Sequence, residues 1–125
     1  MKTNESAENY LETILILSQR LPVVRSIDVA TELGFKKSSV SVAMKHLREK
    51  NHITVSEAGY ITLTDAGREI AEMIYERHNI LTSMLVTLGV TPEIAAEDAC
   101  RIEHVISAES FAAIKDHYNS NSQQH

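Results

Sequence analysis

The sequence has one cysteine, no tryptophan, two phenylalanines and two prolines in 125 residues. A single cysteine cannot close an intrachain disulfide, which excludes a disulfide-stapled secreted scaffold and fits a reducing compartment. No apolar run approaches the roughly 18 residues of a membrane-spanning helix. The opening stretch MKTNESAENY is polar and acidic, without the apolar segment of a secretory signal. These absences predict a cytoplasmic protein. With large aromatics scarce, Leu, Ile, Val and Ala must build the core, and the 43% apolar content suffices for one. The length suits one domain or two small ones.

Basic charge is also in short supply: 12 Lys/Arg face 17 Asp/Glu, a net of −5. Its distribution is uneven. Residues 1–64 carry 8 basic and 7 acidic side chains, whereas residues 65–125 carry 4 and 10. Between positions 36 and 50, Lys36, Lys37, Lys45, Arg48 and Lys50 face one acid, Glu49. A basic patch on an acidic chain localises a polyanionic partner rather than excluding one. The acidic half is available for another task, such as cation binding.

Periodicity predicts a mainly α fold. ESAENYLETILILSQR (5–20) carries Ala7, Tyr10, Leu11, Ile14 and Leu15 at helical spacing and stops before Pro22. RSIDVATELGF predicts a short helix with Ser26 as N-cap and Gly34 just past its end. KKSSVSVAMKHLREK predicts a third, capped by Ser38 or Ser39, with Val40, Ala43, Met44 and Leu47 inward. HITVS and YITLT then alternate at period two around EAG, a β-hairpin in which Gly59 is free to take positive φ. Helix–turn–helix followed by a hairpin is the order of a winged helix. Thr64 is placed to cap a long helix ending at Gly89. Thr91, Pro92 and Glu93 form a strong start signal for the next helix. Ser107 heads a last short helix, about Ala108 to Tyr118. The expected division is a winged helix over 1–64, an all-helical domain over 65–118 and a disordered polar tail over 119–125.

A helix–turn–helix offers its second helix to the major groove, with that helix's N-terminal residues at the base edges. Here it starts with Lys36, Lys37, Ser38 and Ser39, and Ser41, Lys45 and Arg48 follow. Lysine neutralises phosphates or donates to guanine, serine hydroxyls contact bases or phosphates, and Arg48 is placed to reach the backbone. The plain alternative is a solvated basic helix; the preceding glycine turn and following hairpin favour DNA. The wing tip, Glu57-Ala58-Gly59, is acidic and small and is expected to contribute little.

In DACRIEHVIS, Cys100, Glu103 and His104 share one helical face. His78 lies on the preceding long helix, and Asn9 and Glu12 stand one turn apart on the first. A thiolate, carboxylates, imidazoles and an amide oxygen suit a five- or six-coordinate divalent transition metal better than a Cys-rich tetrahedral zinc site. The alternative is an inert thiol beside two solvated polar groups. Spacing alone leaves both open.

Over about residues 5–118 the chain resembles the diphtheria toxin repressor and manganese transport regulator family. The similarity rests on ENYLETI, the winged helix, LTDAGREIA, ERHNILTSMLVTLGV and above all DACRIEHVIS. The resemblance implies a DNA-binding repressor of metal-uptake genes, a homodimer on a palindromic operator, activated by Fe(II) or Mn(II). It carries the family's metal positions onto Asn9, Glu12, His78, Cys100, Glu103 and His104. Glu12 follows the manganese branch and Cys100 the iron branch, while Asn9 follows neither. The iron branch's ancillary site would need ligands where this chain has Thr82 and Ala96, so that site is expected to be absent. No SH3-like third domain is expected after residue 118. The hybrid ligand set ranks Fe(II) before Mn(II), with Co, Ni or Zn expected to bind in vitro. Two other classes compete: a metal-independent winged-helix regulator sensing a small molecule or an oxidant through Cys100, and an enzyme with Cys100 as nucleophile. The second lacks nearby oxyanion donors, and no enzymatic activity is expected.

Overall fold

The structure, a computed structural model, describes residues 2–123, with side chains described from Ser6 to Ser120. Its elements follow the expected order: α1 (Lys2–Arg20), α2 (Ser26–Leu33), α3 (Lys37–Glu49), β1 (Ile53–Val55), β2 (Ile61–Leu63), α4 (Asp65–Thr87), α5 (Pro92–Ile102) and α6 (Ala108–Gln123). Two compact units, Met1–Met73 and Ile74–His125, part inside α4. No described helix is long and apolar enough to cross a membrane.

The first unit is a winged helix. Leu11, Ile14, Leu15 and Leu17 of α1 are buried, as are Val29 and Ala30 of α2 and Val40, Met44 and Leu47 of α3. Ile53, Ile61 and Leu63 close the core from the hairpin. Each fully buried large aliphatic side chain contributes about 1.5–3 kcal/mol. The strands pair antiparallel with Ile53 opposite Leu63 and Val55 opposite Ile61, so period-two alternation puts the apolar set on one face. Gly59 takes φ 84°. The turn is closed by Gly59 N–H donating to Ser56 O (2.9 Å) and Tyr60 N–H donating to Ser56 Oγ (3.1 Å). Thr64 caps α4, its Oγ1 accepting from Gly67 N–H at 3.1 Å. Gly67 is required by packing: a Cβ there would overlap the His52 carbonyl. The first turns of α4 therefore pack against the base of the wing, which explains why this unit extends past Thr64.

Two helix starts, those of α2 and α3, differ from expectation, and the third, that of α5, falls where expected. The N-cap of α2 is Arg25, not Ser26; its N–H donates to the Asp28 carboxylate at 2.9 Å. The N-cap of α3 is Lys36, one turn ahead of Ser39, and no side chain caps that helix. Thr91 occupies the α5 N-cap position, but its hydroxyl makes no capping bond and Pro92 supplies the preset φ instead. Arg25 is held twice more: Nη2 donates to Tyr60 Oη at 3.2 Å, and the guanidinium stacks 4.8 Å from that ring's centroid.

The second unit centres on Leu81, Ala99 and Phe111, with Ile80, Ile102, Ile106 and Ile114 packed against them. Ser107 caps α6 by accepting from Ser110 N–H at 3.0 Å. That helix continues to Gln123, beyond Tyr118 where its apolar pattern ends. Leu88, just past the end of α4, is 74% exposed.

Candidate functional site

In the second unit, α4 and α5 bring together side chains that lie 22 to 25 positions apart in the chain. Ala95 and Ala99 are fully buried on the inner face of α5. Small residues there let the helix approach closely, and the following turn carries Glu103 inward. Glu103 is the C-cap of α5, in αR conformation, with its N–H donating to Ala99 O at 2.9 Å. It thus keeps the helical facing set by Cys100 although it lies just beyond the last helical residue.

One donor atom each from His78, Cys100 and Glu103 falls within 4.8 Å of the others. His78 Nδ1 is 3.0 Å from Glu103 Oε2 and 3.8 Å from Cys100 Sγ. His104 Nε2 is 3.4 Å from Glu103 Oε1. The Glu103 side chain is only 1% exposed, whereas Cys100 is exposed, so the group has a closed side and an open side. The neighbouring Cys100 sulfur first, and the Glu103 carboxylate second, raise His78 to about 10 against the opposing effect of its partial burial. In the metal-free chain a proton on His78 therefore supplies the positive charge that these groups share.

The donor set fits a divalent transition metal. Thiolate, imidazole and carboxylate are the ligands of such ions, and Glu103 Oε1 is buried with the His104 ring 3.4 Å away but no well-formed hydrogen bond. A buried carboxylate oxygen in that state is costly unless something of positive charge or a donor meets it. Of the six metal positions expected, His78, Cys100 and Glu103 come together here, while His104 stands beside Glu103 but outside that group. Asn9 and Glu12 lie on α1 in the first unit, where Glu12 is buried and Asn9 half-buried. Thr82 Oγ1 is buried and makes no hydrogen bond.

Sequence reasoning missed Arg77. Its Nη1 donates to the carbonyls of Glu103 (3.1 Å) and Ile106 (3.2 Å), and its guanidinium stands 5.4 Å from the Phe111 ring centroid. It therefore fixes the turn that presents Glu103 and meets the negative end of α5. Its only sequence signal is its place beside His78.

On the first unit, Lys36, Lys37, Ser38, Ser39, Ser41, Lys45 and Arg48 are all exposed, with Val40, Met44 and Leu47 buried on the inner side of α3. The first turn of α3 holds no acid. Glu57 and Ala58 at the wing tip are exposed.

Residues 2–61 match the N-terminal DNA-binding domain of the iron dependent repressors, and residues 64–124 match their metal binding and dimerisation domain. The chain is 33% identical over 111 residues to the transcriptional regulator MntR of Escherichia coli O157:H7, spanning 89% of this chain and 72% of that one. It is 32% identical over 114 residues to a helix–turn–helix transcriptional regulator of Methanocaldococcus jannaschii, covering 90% and 91%. Among solved structures, a manganese-dependent transcriptional repressor in complex with manganese superposes with a TM-score of 0.83 at 28% identity. That match covers 90% of this chain but 52% of the other, so the chain spans about half the length of the solved repressor. These relatives do not favour a metal-independent regulator. The chain belongs to the iron-dependent repressor family of metal-dependent transcriptional regulators, its first half matching the family's DNA-binding domain and its second the metal-binding and dimerisation domain.

Proposed function

We propose that this cytoplasmic chain silences metal-uptake genes by binding a palindromic operator as a homodimer when loaded with Fe(II) or Mn(II). The observation that carries this reading is the convergence of His78, Cys100 and buried Glu103. Asn9, Glu12 and His104 complete the proposed ligand set. When bound, a divalent cation supplies the positive charge that the thiolate and carboxylate require once His78 has given up its proton. Arg77 holds the Glu103 turn in place for that exchange. Asn9 and Glu12, proposed as the winged helix's own ligands, pass the loaded state to the DNA-binding half. On the winged helix, α3 offers Lys37, Ser38 and Ser39 to the major groove, and a C2 dimer repeats them at the spacing of two half-sites.

The name of the solved manganese repressor supports Mn(II), while the Cys100 thiolate supports the softer Fe(II), which we place first. Co, Ni and Zn are expected to load in vitro. The side chains are assigned no catalytic role. The test uses duplexes selected by the protein from a random pool in the presence of metal. Their affinity is compared under saturating Fe(II) or Mn(II) and under chelator, without oxygen. Equal affinity in the two conditions would remove the proposal.

A further inference from the structure

A cleft of about 290 Å³ opens between the end of α1, the loop 21–24, β2 and Arg68 on the first turn of α4. No residue of α3 and none of the expected metal ligands lines it, so neither DNA binding nor metal binding accounts for it. Val24, Ile61 and Leu63 are buried and fix its floor, while Pro22 and Val23 form an apolar wall open to solvent.

The backbone of β2 presents unpaired groups along this cleft. Across the hairpin, Ser56 N–H donates to Tyr60 O at 3.0 Å and Thr64 N–H to His52 O at 3.1 Å. Antiparallel pairs alternate, so Ile53–Leu63 and Val55–Ile61 are the pairs without mutual bonds. The N–H and C=O groups of Ile61 and Leu63 therefore point away from β1. On that outer edge Ile61 N–H donates to Val24 O at 2.7 Å, the beginning of a third strand. The pairing stops there, because Pro22 has no N–H with which to continue it. Among the described residues, the Ile61 carbonyl and the Leu63 N–H have no other backbone partner. Leu63 is 7% exposed, and an unpaired backbone donor on so buried a residue is costly.

Arg68 supplies charge at one end. It meets Glu72 at 4.0 Å, with both side chains about half exposed. Arginine before glutamate is the weaker order for an i, i+4 pair, so most of the five guanidinium donors are free. One residue of an extended peptide running parallel to β2 satisfies the edge: its N–H donates to the Ile61 carbonyl and its C=O accepts from Leu63 N–H. Continued in that direction, the peptide ends at the start of α4, where Arg68 stands. At about 30 Å³ per water the cleft has room for roughly ten waters, enough for a short peptide end but not for a long segment.

We propose that this cleft binds a free short apolar peptide, its backbone added to the outer edge of β2 and its terminal carboxylate held by Arg68. The site is independent of the metal group and of α3, so it stands or falls apart from the repressor reading.

The experiment titrates the isotope-labelled full chain with N-acetyl-trialanine and follows the Leu63 amide by NMR. A saturable downfield shift of that amide is expected. The C-terminal amide of the same peptide, and Arg68→Gln with the free acid, should each bind about ten- to 150-fold more weakly, the worth of a hydrogen bond to a charged group. N-methylation of the middle alanine, which removes the N–H offered to Ile61, should cost at least about fivefold. Glu72→Gln frees Arg68 and should bind no more weakly than wild type. Both variants change surface residues, and thermal melts matching wild type establish that they fold. The proposal is overturned if the Leu63 amide does not move, or if acid and amide bind equally. It is also overturned if Arg68→Gln binds like wild type, if the N-methyl peptide does, or if Glu72→Gln weakens binding. A longer peptide with the same end that binds much more tightly would assign the edge to a protein segment and overturn the free-peptide reading.

Discussion

His78 keeps its proton up to a pH of about 10 in the metal-free chain because Cys100 and Glu103 surround it. A ligating imidazole must be neutral, so a cation can bind only by displacing that proton. Between about pH 6.5 and 10, one displaced proton makes apparent metal affinity rise tenfold per pH unit, equivalent to about 1.36 kcal/mol for each. From pH 6.5 to 8.5 the expected gain is thus about a hundredfold. Competition for Mn(II) against a chromophoric chelator of known pH dependence reads this directly, under anaerobic conditions that keep Cys100 reduced. Calorimetry in two buffers of different ionisation enthalpy should count at least one proton released per ion at pH 7.5. A change under about threefold over those two pH units, or no released proton, would refute the reasoning. The same group sets a second sign. Because its pKa is raised on folding, His78 stabilises the metal-free fold fully below about pH 6.5, and this contribution is lost as pH rises through about 10. The melting temperature of the metal-free chain should therefore fall between pH 7 and 9, and His78→Gln should flatten that fall.

Gly67→Ala should destabilise the winged helix by about 1–3 kcal/mol, because the new methyl meets the backbone carbonyl of His52 rather than a movable side chain. Denaturant unfolding at wild-type stability would show that α4 and the wing base are not in such close contact. Phe111→Ala should cost the second unit about 3–5 kcal/mol, since the ring is buried among Leu81, Ala99 and their neighbours. Urea melts followed by circular dichroism measure the loss. Arg77→Met keeps the stem but loses both bonds to the turn after α5, and should weaken metal binding by about ten- to a hundredfold, as the loss of a ligand-orienting group does. Chelator competition at wild-type affinity would remove Arg77 from the account.

The winged-helix order was legible because its signals are local. Period-two alternation marked β1 and β2, Gly34 and Gly59 supplied the positive φ values that their turns required, and Thr64 capped α4 as expected. Helix starts were less legible, because a backbone bond from Arg25 to Asp28 outcompeted the serine that sequence preference favoured. The facing of Cys100 toward Glu103 followed from helical spacing, yet spacing could not supply the 3.0 Å approach of His78, which depends on how α4 packs on α5. Arg77 was invisible for the same reason: its partners are carbonyls, which every residue has.

The central claim is that metal held by the His78, Cys100 and Glu103 group drives DNA binding, and linkage makes that claim reciprocal. The most direct measurement is the affinity of the chain for Mn(II) or Fe(II) with and without saturating selected duplex, paired with duplex affinity with and without metal. The account predicts the same factor in both directions, of about five- to 150-fold, and its disappearance in Glu103→Gln. A metal affinity unmoved by the duplex, or a factor that survives in Glu103→Gln, would contradict it.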